Sequence, residues 1–163
     1  DSIEVSLWNS GSLGNSSATF TANGVLQTNG LTTLLFPGAA IGGTYYISVK
    51  HRNSLETWSA APISFLTDSI NYDFTTGLNK AFSDGVNPSM KPLSDGKYAL
   101  YGGDVNQDGT VDGGDMNEVD NNSSIAAFGY DNSDANGDGA TDGLDMNIID
   151  NNAQLGLYFA RPY

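Results

Sequence analysis

At 163 residues with 39% apolar content, the chain is long enough for one ordinary domain or two small ones, and its aromatic content of 10% excludes a disordered polypeptide. The absence of cysteine excludes a disulfide framework and a thiolate zinc site, and no run of eighteen apolar residues exists to cross a membrane as a helix. The net charge of −13 is lopsided: residues 1–100 carry seven acids and five bases, whereas residues 101–163 carry twelve acids and one base, Arg161, which disfavours nucleic acid and anionic lipid as partners.

The first hundred residues read as short strands. "SIEVSLW" alternates, with Ile3, Val5 and Leu7 on one face and Ser2, Glu4 and Ser6 on the other. In "ATFTANGVLQT" the Asn23-Gly24 pair predicts a two-residue hairpin turn, because both central positions of such a turn need positive φ. "GTYYISVKHR" places Tyr45, Ile47 and Val49 on one side, and "ETWSAAPISFL" and "INYDFTT" complete a set of β-branched and aromatic segments. Five to seven such strands between Gly/Asn/Ser turns, with no helical crossovers, predict an antiparallel β-sandwich of Ig-like or Greek-key type over residues 1–98. The stretch 77–97, with Pro88 and Pro92, is expected to be irregular apart from a helical turn around Lys80–Phe82. A second module is expected over 99–163, entered through Gly102-Gly103.

That module contains "GDVNQDGTVDGGDMNEVDNN" and, thirty residues on, "SDANGDGATDGLDMNIIDNN". Numbered from Asp104, side-chain oxygens fall at positions 1, 3, 5, 9 and 12: Asp104, Asn106, Asp108, Asp112 and Asp115, with Gly109 at position 6 and the Thr110 carbonyl at position 7. The second copy supplies Asp134, Asn136, Asp138, Asp142 and Asp145, with Gly139 and the Ala140 carbonyl at the same positions. Ca²⁺ takes six to eight oxygens in such a twelve-residue loop, and the glycine permits its sharp reversal. Mg²⁺ sheds water too reluctantly for an all-protein cage, and Zn²⁺ lacks its His or Cys, so two calcium sites are predicted. Helices follow as "DMNEVDNN" and "DMNIIDNN", with Met116 and Val119, and Met146 and Ile149, spaced to share a packed face; no helix is expected to enter either loop.

This duplicated loop-helix unit, with aspartate rather than glutamate at position 12, resembles the type I dockerin repeat. The longer run from "YYISVKHRNSLETWS" through "YALYGGDVNQDGTVDGGDM" to "DMNIIDNN" and the final "RP" is similar to C-terminal modules of large secreted surface proteins of Bacteroidota-like bacteria. The resemblance implies a calcium-binding EF-hand-like pair after a β-domain. Dockerins also bind cohesins through hydroxyl residues before the last ligand and basic residues on the exiting helix. Here Gly113-Gly114 and Gly143-Leu144 occupy the first place and neither helix carries Lys or Arg, so the calcium chemistry transfers and cohesin binding does not.

Other chemistries find few actors. His51 is the one histidine, beside Arg52; no nucleophile elbow or phosphate loop occurs; and the carboxylates outside the acidic loops that a glycosidase would need include Glu4, Glu56, Asp68 and Asp73. Trp8, Trp58, Tyr45, Tyr46 and Tyr72 offer either a sugar-stacking platform or ordinary packing. Asp68-Ser69-Ile70 matches a short bacterial O-glycosylation pattern, and Asn15 and Asn121 begin N-glycosylation sequons. The tail "AQLGLYFARPY" alternates Leu155, Leu157 and Phe159, as a strand added to the sandwich of its own chain or of a neighbour would. The expectation is a non-enzymatic, calcium-stabilised extracellular module of a bacterial surface protein, structural or adhesive, self-assembling into a fibre or joined to other chains. The alternative is a binding module for a glycan or a cohesin-like protein. A secreted form is expected to have lost its leader already.

Overall fold

Alternation in the N-terminal segment produces strand β1 (Ser2–Asn9), with Ile3, Val5 and Leu7 buried. It pairs antiparallel on one side with β2 (Phe20–Val25) and on the other with β3 (Thr44–His51), where Val5 faces Val49 and Leu7 faces Ile47. β4 (Ser54–Trp58) extends the order to β2-β1-β3-β4, and the short β5 (Ile63–Ser64) pairs with the start of β3. A separate two-stranded ribbon joins β6 (Lys91–Pro92) to β7 (Tyr98–Ala99). Among the described residues the protein is thus mainly β, with antiparallel sheets and two short helices, α1 (Gly113–Ser124) and α2 (Gly143–Ala153). This computed structural model describes residues 1–13 and 17–163; the sequon at Asn15 lies outside them.

The chain divides into two units. The first comprises Asp1–His51, Glu56–Ala99 and Ala160–Tyr163, and the second Arg52–Leu55 and Leu100–Phe159. In the first, Tyr45 packs edge-on against Phe20 and Phe65, with centroids 5.9 and 5.4 Å away. On the other face of the sheet the Trp8 indole donates to Ser48 Oγ at 2.9 Å and stacks at 4.9 Å on Trp58.

Several sequence expectations fail for local reasons. Asn23 and Gly24 are not a turn; both lie inside β2, opposite Glu4 and Ile3. Glycine suits the position because an added Cβ would stand 2.6 Å from Leu34 Cδ2 and 2.8 Å from Thr32 Oγ1, so those side chains would have to shift. "INYDFTT" forms no strand, since the Asp73 carboxylate accepts from the Thr75 amide and hydroxyl and starts a 3₁₀ turn at Phe74–Thr76. The next turn is Leu78–Lys80, two residues ahead of its expected place.

The second unit owes its fold to a small apolar cluster: Leu55, Tyr101, Val105, Val111, Val119, Ile149 and Leu157, flanked by Met116 and Met146. The i, i+3 pairs expected on the two helices form the helical share of this core. The tail adds no strand to the sheet. Its Leu157 carbonyl accepts from Val111 N at 2.9 Å, and its Phe159 N donates to the Gly109 carbonyl at 2.8 Å. Backbone pairing with the first acidic loop buries Leu157, which joining the five-stranded sheet would instead have withdrawn from this cluster.

Candidate metal centre

Each acidic loop is organised by its own side chains. In the first, Asn106 Oδ1 accepts from Asp108 N at 2.8 Å, Asp108 Oδ1 from Thr110 N at 3.0 Å, and Asp112 Oδ1 from Gly114 N at 2.7 Å. These turns reverse the chain at Gly109, whose φ is 90°. Asp112 caps α1, and Asp115 at the third helical position accepts from the Asp112 amide at 2.9 Å, so two predicted ligands form a reciprocal capping box. The other Asp115 oxygen accepts from Val105 N and Asn106 N at 2.8 and 3.2 Å, which draws the helix start against the loop entrance. A glutamate arm would place its carboxylate one methylene further out; the aspartate brings the helix closer.

The second loop repeats this pattern. Asn136 Oδ1 accepts from Asp138 N, Asp138 Oδ1 from Ala140 N and Asp142 Oδ1 from Leu144 N. Asp145 takes the Asn136 and Asp142 amides at 3.0 and 2.9 Å, and Asp134 takes Gly137 N and Gly139 N. In both loops the first and last carboxylates are buried (Asp104 3% exposed; Asp115, Asp134 and Asp145 0%), while positions 3, 5 and 9 are open to solvent.

The two halves complete each other. The segment after α1 pairs with the second loop: Thr141 N donates to the Ala127 carbonyl at 3.1 Å and Gly129 N to the Gly139 carbonyl at 2.8 Å. The segment after α2 pairs with the first loop through Tyr158 and Thr110. In this pattern Gly109 O and Val111 N face the tail, so the Thr110 carbonyl at position 7 is directed away from it; Ala140 stands in the same relation to residues 127–129. Asparagines at the helix ends follow the same exchange. Asn122 Nδ2 donates to Ser133 Oγ beside the second loop, and Asn152 Nδ2 to the Gly102 carbonyl beside the first, at 2.6 and 2.8 Å. Sequence reasoning missed both residues, although "DNN" closes both copies and Asn152 is buried.

Charge in this unit is barely compensated. Its twelve acids share one base, Arg52, which belongs to this unit through the segment Arg52–Leu55. Burial, with the like charges of Asp115 and Asp108 adding to it, pushes the Asp104 carboxyl up to about 6 against the pull of the Gly109 amide. Burial also raises Asp115, opposed by the amides of Asp112, Asn106 and Val105. At the open mouth Asp108 is lowered, chiefly by the Thr110 hydroxyl. Among the described residues no three His, Cys, Asp or Glu side chains stand together as a ready-made metal shell. The carboxylates are turned onto backbone amides. The donor set nevertheless fits a hard divalent cation: four buried carboxylates, of which only Asp134 has a base beside it, Arg52 at 3.8 Å, with exposed Asx oxygens at the mouth and a backbone carbonyl at position 7.

Comparison with protein-family models, curated proteins and solved structures returned no match. The likeness to dockerin repeats therefore rests on the loop motif itself.

The remaining candidates lie in the first unit. Tyr45 and Trp58 are buried, which removes two of the five aromatics from any exposed platform. His51 Nε2 lies 3.0 Å from Asp1 Oδ2, Glu56 pairs with Lys50 at 3.5 Å, and Asp73 is used in its turn. Ser69 is exposed beside the exposed Asp68, whereas Asn121 sits on α1. No helix among the described residues is long and apolar enough to cross a membrane.

Proposed function

We propose that the second unit is a dockerin-like, EF-hand-type pair binding two Ca²⁺, and that the chain is a non-catalytic extracellular structural or adhesion module. The observation that carries this reading is the burial of Asp104, Asp115, Asp134 and Asp145 at the equivalent first and last loop positions of a unit that holds a single base. Side-chain oxygens at positions 1, 3, 5, 9 and 12, with a carbonyl at 7, would hold each ion. The ion supplies counter-charge and crosslinks loop to helix. Two ions would take residues 101–163 from −11 to −7.

The proposed location takes each site to have a Kd of about 10 µM. Sites with a Kd of about 10 µM stay empty in the cytosol, yet in millimolar extracellular calcium each stabilises the fold by about 2.7 kcal/mol. For the first unit the finer reading is an Ig-like or Greek-key sandwich. It is supported by β1 and β3, which bury residues on both faces, and by the buried Met90 and Ala81 outside the sheet. Glu56 is paired with Lys50 and Asp73 is used within its own turn, which supports a non-catalytic role. No basic residue lies in the last turn of either helix, which favours a structural role over cohesin docking.

Thermal unfolding of the calcium-loaded chain, repeated after EDTA and then with magnesium, tests the proposal. Chelation is expected to lower the melting temperature of the second unit by several degrees, restored by calcium and not by equimolar magnesium. A melting curve indifferent to EDTA rejects it.

A further inference from the structure

The carbonyl of the first ligand residue receives a side-chain N–H in both loops, by two different routes. In the first loop Gln107, at position 4, reaches back and its Nε2 donates to the Asp104 carbonyl at 2.6 Å. Gln107 has a φ of 59°, a conformation that a residue with a side chain rarely adopts and that position 4 takes in both loops, Gly137 having a φ of 78°. Position 4 of the second loop is Gly137, which has no side chain to reach back. There the Asp134 carbonyl accepts instead from Asn53 Nδ2 at 2.8 Å and Arg52 Nη1 at 2.8 Å. Arg52 also donates to the Asp131 carbonyl, its other arm lies 3.8 Å from Asp134 Oδ2, and its guanidinium stacks 5.4 Å over the Tyr130 ring. Only 14% of the Arg52 side chain is exposed.

We propose that Arg52 and Asn53 are positioning residues for the second calcium loop, fixing Asp134 from outside that loop as Gln107 fixes Asp104 from within the first. This rests on the calcium reading above. Arg52 suits the task because its planar fork spans two carbonyls at once, which a lysine ammonium cannot do in fixed geometry. A mere counter-charge would act with the opposite sign: a cation beside the site repels Ca²⁺, so its removal would tighten binding. The direction of the change therefore separates the two roles.

The experiment is a CaCl₂ titration of the ¹⁵N-labelled whole chain, following the Gly109 and Gly139 amides as reporters of the first and second loops. Arg52→Gln and Asn53→Ala are each expected to raise the calcium concentration at the Gly139 midpoint by roughly 10–100-fold, the usual effect of losing an outer-shell partner, and to leave Gly109 in place. Arg52→Lys is expected to weaken the second loop as well, and Gln107→Ala to shift Gly109 alone. A Gly139 midpoint that is unchanged or tightened by Arg52→Gln, or retained by Arg52→Lys, overturns the proposal. If Arg52→Gln also abolishes the Gly109 response through unfolding, Asn53→Ala and Gln107→Ala decide by the same criteria. A wild-type chain in which neither glycine titrates rejects the calcium reading itself.

Discussion

At Asp104 burial outweighs the amide that supports its charge, and its carboxyl titrates near 6. The folded form thus holds a proton more tightly than the unfolded chain, whose aspartates titrate near 3.9. Without calcium, this residue makes the second unit lose stability as pH rises through the interval between those values. The calcium-free chain is accordingly expected to melt higher at pH 5 than at pH 7. On the proposed reading, calcium would have to displace that proton, so its apparent affinity is expected to fall below about pH 6. Melting curves of calcium-stripped protein at the two pH values check the first statement; a higher melting point at pH 7 contradicts it. The oxygen-bearing positions of the two loops were legible one residue at a time because such side chains at fixed loop offsets leave a pattern in the chain, and the structure places them in two equivalent loops. Arg52 and Asn53 were not legible, because hydrogen bonds to a carbonyl leave no spacing in the chain when the donors stand 82 and 81 residues away; Gln107 is only three residues from Asp104, but no repeat marks it, since the second loop has Gly137 in its place.

Among the elements, the thirty-residue repeat is a unit of exchange. Each half contributes a loop, a helix, a terminal asparagine and a short extended segment, and the last two serve the other half's loop. The exchange is unequal at one place. An added Cβ at Gly109 would meet Phe159 Cδ1 at 2.4 Å, whereas at Gly139 it would meet nothing within 4 Å. Both glycines have φ near 90°, so alanine costs about 1–2 kcal/mol at either. Only Gly109→Ala adds the clash with the tail, about 1–3 kcal/mol more. Chemical denaturation in saturating calcium is expected to rank Gly109→Ala as the more destabilising; equal losses would show that the tail does not constrain the first loop. Helices α1 and α2 were readable from their apolar i, i+3 pairs, while the capping by Asp112 and Asp142, expected only as ligands, emerged in the structure. The tail was misread because its alternation fits any extended partner and identifies none.

At the scale of the whole molecule, charge dominates. The second unit carries twelve acids and one base around a core of seven buried apolar side chains, so self-repulsion opposes folding until cations gather. Calcium-free protein is expected to gain melting temperature between low and 0.5 M NaCl, and calcium-loaded protein to gain much less, because bound ions have already relieved the repulsion that salt screens. Equal salt responses in the two states would argue that the carboxylates are not coupled to the ion. The sequence alone determined the twin loops, their exiting helices and the alternating strands β1 and β3, since each is set by neighbours within a turn or a pleat. Tertiary structure alone decided that Gly24 stays inside a strand, that the tail closes the first loop, and that Arg52 reaches the second. Those outcomes depend on which distant surfaces bury apolar area together, a quantity that local periodicity does not encode.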